Sequence, residues 1–293
     1  MKKRTLVVVI VVCISAFLAF GQNNRKKKAA PSPSPSPSAG LSWENMESVN
    51  FSKGPARGAL GDTAEVKVPE GYVFAGGNDT RNIMEMMQNT TSGRELGFLA
   101  RDGEDWFVVF EFSPVGYVKD DEKDSLDADA ILQSIKEGTA EGNKERARRG
   151  WPALTILGWA TPPRYNENTH NLEWAVKLES EGSTGVNHNT RLLGRGGVME
   201  VTLVTDPDKL AETLPKFNAL VSGFEFVEGH KYNQFRPGDK MAAYGLTGLI
   251  AGGGVAVAAK AGLFKWIWKG LVAAAVGLSA LFKKIFSREK TNA

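Results

Sequence analysis

Cysteine is all but missing from this chain. The single one, Cys13, lies inside the first apolar run. Disulfides, cysteine nucleophiles and thiolate metal sites are therefore excluded for the body of the protein. Histidine is also scarce, with only His170, His188 and His230, far apart in sequence. No His-Glu-x-x-His pair marks a zinc protease, and no Gly-x-Ser-x-Gly supplies an elbow serine. "GRGG" at 194–197 has neither the third glycine nor the following helix of a dinucleotide fingerprint. Acids are missing from residues 1–40, and 240–293 contain one.

The acids that the ends lack are concentrated between them. Residues 1–40 hold seven Lys/Arg and residues 240–293 hold eight, leaving 21 basic against 32 acidic residues across 41–239. The sequence pI of 8.8 thus belongs to the termini, while the middle is acidic. The terminal basic residues flank apolar runs, which membrane topology explains better than nucleic-acid binding.

"MKKRTLVVVIVVCISAFLAFGQ" has a charged start, an apolar run from Leu6 to Phe20, and small residues Ala19 and Gly21 before Gln22. Residues 1–21 read as a secretory signal peptide, or as an uncleaved anchor because Arg25 to Lys28 follow directly. Residues 22–40 read as a linker, basic and then "PSPSPSPS", extended and unable to build a core. Residues 41–236 read as one extracytoplasmic domain.

Within that domain "AEVKVPEGYVF" predicts two strands around a turn at Pro69–Gly71. "LGFLA", "WFVVFEF", "LTILGWA", "HNLEWAVKLES", "VNHNTRLLG", "GVMEVTLVT" and "FEFVEG" predict further strands. Helices are expected over "NDTRNIMEMMQ", capped near Asp79 or Thr80, and over about 126–149. A third is expected from Asp206 as cap with Pro207 first, its stripe made by Leu210, Leu214, Phe217, Val221 and Phe224. Pro215 predicts a kink or a second start there. Many strands with about three helices indicate an α+β antiparallel sandwich.

Residues 241–259 carry no charge between Lys240 and Lys260, a length that predicts a transmembrane helix. Gly248 and Gly252 have the spacing that lets two such helices approach as a homodimer, with a merely flexible span as the alternative. Residues 260–293 predict a basic amphipathic or second membrane segment, with Lys265, Lys269, Lys283 and Lys284 on one side of the wheel.

Three groups of residues invite a chemical reading. The run holding Asp120, Asp121, Glu122, Asp124, Asp127 and Asp129 fails as a calcium loop. Ser125 stands where the turn glycine belongs and Ile131 where the bidentate Glu belongs. Capping of the following helix by Asp124 or Asp127 is expected instead. Met84, Met86 and Met87 could bind cuprous ion but suit a core. Asn187, Asn189, Arg191 and Arg195 alternate along a predicted strand and so would share one face. They form either a ligand site for a carboxylate or phosphate, or a polar cross-strand network.

The segments "VPEGYVF", "WFVVFEF", "GYVKDDEKDSLDADAIL", "GTAEGN", "GWATPPRYNENTHNLEWAVKL", "VNHNTRLLGRGGV" and "RPGDKMAAYGLTGLIAGG" resemble the bacterial family called domain of unknown function 2167. Its members are described as membrane-anchored, and the resemblance implies no reaction, cofactor or metal. The family pattern usually carries Tyr where this chain has His188. The order of elements is also similar to PsbP-like and DcrB-like sandwiches, which are mostly non-catalytic binding or accessory modules. The resulting expectation is a protein of the bacterial cytoplasmic membrane with its main domain outside the cytosol. It would act as an accessory module for an envelope protein partner, without nucleic acid. The competing expectation is an envelope enzyme or anion binder that joins the Asn187/Asn189/Arg191/Arg195 face to carboxylates such as Asp120 and Asp121.

Overall fold

Alternation such as that of "FVVFEF" places successive side chains on opposite sides of a strand, and here both sides are buried. The computed structural model of the chain describes residues 46–251, apart from 47, 102 and 168. The expected signal segment 1–21, linker 22–40, basic tail 260–293 and Gly252 lie outside the described residues.

Eight strands form one antiparallel sheet. These are β1 (Phe51–Lys53), β4 (Tyr72–Gly76), β5 (Glu95–Arg101), β6 (Phe107–Ser113), β7 (Thr155–Asn166), β8 (Asn171–Ser180), β9 (Ser183–Leu193) and β10 (Val198–Thr205). Their spatial order is β1-β4-β5-β6-β10-β9-β8-β7. The remaining strands β2 (Ala56–Leu60), β3 (Ala64–Val68) and β11 (Phe224–Phe226) make a smaller antiparallel sheet, order β11-β3-β2. The α+β expectation holds. Each predicted strand forms, and the short β1 and β2 add to them.

Helices α1 (Gly77–Met86), α2 (Ala128–Arg148) and α3 (Leu210–Val221) cover the large sheet, and a fourth, α4 (Leu246–Ile250), is short. One sheet face packs Phe74, Leu99, Val108, Phe110, Val201 and Leu203 against the small sheet and against Phe217 and Leu220 of α3. The opposite face has two apolar clusters. Ile83, Met84 and Met87 lie over Ala75, Phe98, Val109 and Val204. Ile131 and Ile135 of α2 lie over Trp174, Val176 and Leu178. Each such fully buried large side chain contributes about 2 kcal/mol. Met84 and Met87 are thus core side chains, while Met86 is exposed.

The helix starts differ from expectation in two places. The cap of helix α1 is Gly76, three or four residues before the expected Asp79 or Thr80, and Thr80 Oγ1 donates back to the Ala75 and Gly76 carbonyls at 3.1 and 2.9 Å. Before α3, residues 206–209 form a turn, with Lys209 N–H donating to the Asp206 carbonyl at 3.2 Å. Asp206 therefore closes a turn and does not cap the helix. Helix α3 runs through Pro215 without a second start.

The expected transmembrane helix at 241–259 needs correction. Met241 forms a parallel bridge with Tyr117, Tyr117 N–H donates to the Lys240 carbonyl, and Ala242 N–H donates to that of Tyr117, both at 2.8 Å. Leu246, Leu249 and Ile250 of α4 are buried in the same cluster as α2. Residues 241–251 are therefore part of the folded body, beyond the boundary expected at 236. No helix among the described residues is long and apolar enough to cross a membrane. Only eight uncharged residues then remain before Lys260, short of the roughly 20 a spanning helix needs. Gly248 serves close packing within the chain, since a Cβ there would lie 2.7 Å from Tyr244 Cβ. That leaves no open helix face at Gly248 for the expected dimer contact.

Candidate functional site

Strand β9 is buried on both sides from Gly185 to Leu193. Its alternation sends Asn187, Asn189 and Arg191 to the face covered by α1 and α2, and His188 and Thr190 to the face covered by α3. Three of the four expected ligand residues therefore share a face. The fourth, Arg195, lies past the end of β9. Its Nε and Nη2 both hold Asp239 at 2.7 Å, fastening the segment after residue 236. That bidentate grip pulls the Asp239 carboxyl down to about 2, with help from the Arg236 backbone N–H.

The shared face is organised by register. Glu95 of β5 lies opposite Glu111 of β6, which lies opposite Glu200 of β10, which lies opposite Arg191 of β9. Like charges directly across strands repel, so such a row needs counter-charges. Arg191 Nη2 meets Glu200 Oε2 at 3.1 Å, and Arg94 Nη1 meets Glu200 Oε1 at 3.2 Å. Arg94 Nη2 lies 3.9 Å from Glu111. Ser92 Oγ lies 3.0 Å from Glu111 Oε1 and 3.1 Å from Glu95 Oε1, its one proton shared between them, and Ser92 N–H donates to Glu95 Oε1 at 2.6 Å. Arg191 also lies 4.7 Å over the Trp174 ring.

One row further along, Thr202 Oγ1 donates to Asn189 Oδ1 at 3.2 Å, and Asn189 Nδ2 donates to the Asn187 carbonyl at 3.1 Å. Beyond it Asn187, 1% exposed, has no partner for either side-chain polar atom. Glu95 Oε2, Arg191 Nε and Arg191 Nη1 are buried and unpartnered as well. The half-buried Tyr244 borders this row. Its hydroxyl pKa is raised by burial and then by Glu200.

On the opposite face His188 is 2% exposed, stands edge-on to Phe217 at 5.3 Å, and has neither ring nitrogen partnered. Burial lowers its pKa to about 4. A neutral ring enclosed against a phenylalanine is a core residue.

The acidic run divides into separate structural tasks. Asp127 Oδ1 accepts from Ala130 N–H at 2.9 Å and caps α2, as expected. Glu122 Oε2 accepts from Thr247 N–H at 2.9 Å in the first turn of α4. Asp120 Oδ2 accepts from the Tyr165 hydroxyl at 2.9 Å. Among the described residues no three His, Cys, Asp or Glu side chains group as a metal site.

Asp120 also borders a feature that the sequence reading missed. Four rings stack in the order His170, Tyr232, Tyr117, Phe235, with centroid separations of 4.6, 4.5 and 4.3 Å. The Tyr165 hydroxyl lies 3.1 Å from His170 Nδ1. Tyr232 donates to the Val118 carbonyl at 3.0 Å. Burial, then the bond to Asp120, pushes the Tyr165 hydroxyl pKa up, and burial does the same at Tyr232. Phe235 and Met241 remain 37% and 39% exposed at its edge. The signal was two aromatics in the polar stretch "HKYNQF", far in sequence from the Tyr117 and His170 that complete the stack.

Comparison with known proteins places a family match over residues 52–282, to the family described as protein of unknown function, DUF2167. No curated protein matches. Among solved structures, cyanobacterial PsbP from Synechocystis is 12% identical, covering 61% of this chain and 92% of that one, with a TM-score of 0.37. A Pseudomonas aeruginosa protein of unknown function is 12% identical over 54% of this chain and 87% of that one, TM-score 0.24. The Saccharomyces cerevisiae Ran-binding protein Mog1p is 11% identical over 64% of this chain and 100% of that one, TM-score 0.29. All three scores lie below 0.5.

Proposed function

The chain belongs to the DUF2167 family, whose description assigns no activity, so we propose a function from its own surfaces: a non-catalytic interaction module held at a bacterial membrane. The observation that carries this reading is the aromatic stack His170–Tyr232–Tyr117–Phe235, open to solvent at Phe235 and Met241. Aromatic side chains already ordered by one another lose little freedom on docking, and such residues dominate protein interfaces. The partner is an envelope protein. Membrane attachment falls to the lysine-bordered apolar stretches outside residues 46–251, with the acidic body on the extracytoplasmic side, as the charge distribution favours.

A competing reading takes Asn187, Asn189, Arg191 and Arg195 as an enzymatic or anion-binding face. Against it, Arg191 and Arg195 are each neutralised by a carboxylate, Glu200 and Asp239. An anion arriving there would compete with both.

The test is co-purification of the full chain from detergent-solubilised membranes, in parallel with Phe235→Ala. Recovery of one stoichiometric protein partner, lost in the variant, is expected. A chain found in the soluble fraction, or one that purifies alone, overturns the proposal.

A further inference from the structure

We propose that Asp120, Tyr165 and His170 form a binding site for a ferric ion. The site goes beyond the docking surface proposed above. It shares His170 with the aromatic stack and uses neither of the exposed edge residues, Phe235 and Met241.

Three atoms able to coordinate a metal converge there. Tyr165 Oη lies 2.9 Å from Asp120 Oδ2 and 3.1 Å from His170 Nδ1, and those two lie 3.9 Å apart. A point equidistant from three atoms so spaced is about 2 Å from each, the length of a metal–oxygen or metal–imidazole bond. Tyr165 is near the end of β7 and His170 is in the turn to β8, so one hairpin brings both together. Asp120 comes from the segment after β6, which Lys123 ties to the same hairpin through Glu167 at 2.8 Å. His170 has a φ of +51°, in the left-handed region where glycine or asparagine holds a turn at less cost. Such strain collects where a side chain has to be aimed. The ring stacks on Tyr232 at 4.6 Å, which fixes its direction. The His170 and Asp120 side chains are 42% and 33% exposed, so an ion can enter from solvent and water can complete its coordination.

The ligand atoms select the ion. A carboxylate, a phenol and an imidazole include no thiolate or thioether, so a soft cuprous ion is disfavoured. A free phenol loses its proton only near pH 10, so an ion bound by Tyr165 at neutral pH has to displace that proton. A trivalent ion does so more readily than a divalent one, and the phenolate and carboxylate then offset two of its three charges. On binding, the Tyr165 proton passes to solvent and an oxygen–iron bond replaces the oxygen–hydrogen bond. The imidazole carries its own proton on Nε2, and the iron stays ferric throughout.

The full chain, purified in detergent, is loaded from ferric nitrilotriacetate and freed of excess by gel filtration. Retained iron and the visible tyrosinate-to-iron charge-transfer band are then measured, with zinc chloride as the divalent arm. One iron per chain, with that band, is expected. Tyr165→Phe should abolish the band. Asp120→Asn and His170→Asn, the latter suited to the left-handed turn, should each weaken iron binding about tenfold or more, as loss of even an outer partner of a metal does. Each variant is checked for a folded far-UV spectrum. Phe235→Ala should bind iron as the wild type does, so the metal site and the docking surface fail separately. Absence of the band in the wild type means that the three side chains form only a hydrogen-bonded cluster, and overturns the proposal. An unchanged band in folded Tyr165→Phe places the iron elsewhere and also overturns it. So does retention of zinc where iron is not retained.

Discussion

The backbone N–H of Thr247 donates to the carboxylate of Glu122 at 2.9 Å, joining two segments 125 positions apart. A carboxylate in the first turn of a helix satisfies a free donor and complements the positive end. Glu122 does this for a helix it does not belong to, and so holds 241–251 on the body. A Cβ at Gly245 would lie 2.6 Å from Glu122 Oε1, so the glycine is what lets the carboxylate approach.

Replacing Glu122 should therefore loosen the chain's exit from the domain. Glu122→Ala is expected to cost about 1 kcal/mol, the usual value of a lost cap. Cleavage by trypsin after Lys240 should speed up. Glu122→Gln keeps an acceptor and should restore most of the protection. Equal cleavage rates in wild type and Glu122→Ala would show that the hydrophobic contacts of Leu246, Leu249 and Ile250 hold the segment alone.

His188 should make stability depend on mildly acidic pH. Its folded pKa lies near 4, below the unbound value of 6.5, because burial disfavours the charged ring. The unfolded chain thus binds the proton more readily, and stability falls as pH drops from 6.5 towards 4. Above 6.5 the contribution is constant. The full loss is on the order of 3 kcal/mol. Urea unfolding at pH 7.5, 5.5 and 4.5 measures it. In His188→Tyr, which has no imidazole to protonate, that part of the slope should vanish.

The elements legible in the sequence were those whose pattern is local. The turn at Pro69–Gly71, the strand "WFVVFEF" and the Asp127 cap each depend on neighbours within a few residues, and all three form as read. The face shared by Asn187, Asn189 and Arg191 was legible for the same reason, since alternation fixes it. Its depth was not. Whether a sheet face is wet or covered depends on where α1 and α2 fold back, and no strand records that. Glu200 was invisible as the partner of Arg191, and Glu95 and Glu111 as its neighbours in the row, because only the register of four strands aligns them. The greatest misreading came from composition. Residues 241–251 are apolar because they pack on α2, and hydropathy alone does not distinguish that from a lipid-facing helix.

The Arg195–Asp239 pair tests whether charge or packing fastens the segment after 236. Asp239 is held near 2 by Arg195, below its ordinary 3.8, so the pair's contribution is complete above about 3.8 and is lost only as pH falls towards 2. Arg195→Lys keeps the charge but not the two-pronged geometry. Faster hydrogen exchange at Arg236, whose N–H donates to Asp239 at 2.7 Å, is expected in this variant at pH 7. Unchanged exchange would assign the fastening to the surrounding aromatic rings.

Gly116 gives the strictest test of the C-terminal segment as part of the domain. Its φ of +101° lies in a region that side chains with a Cβ avoid. A Cβ there would lie 2.5 Å from the Lys240 carbonyl oxygen and 2.9 Å from the Met241 carbonyl carbon. Gly116→Ala must therefore either strain its own backbone or push 240–242 away from Tyr117, at about 1–3 kcal/mol. For a domain of this size that corresponds to a fall in Tm of roughly 2–12 °C. Displacement would also separate Met241 from the aromatic stack, so partner recovery should fall together with protection of the Tyr117 and Ala242 amides. Wild-type Tm and protection in Gly116→Ala would mean that residues 240–242 are not held against Tyr117, and the aromatic surface would lose the element that orders its edge.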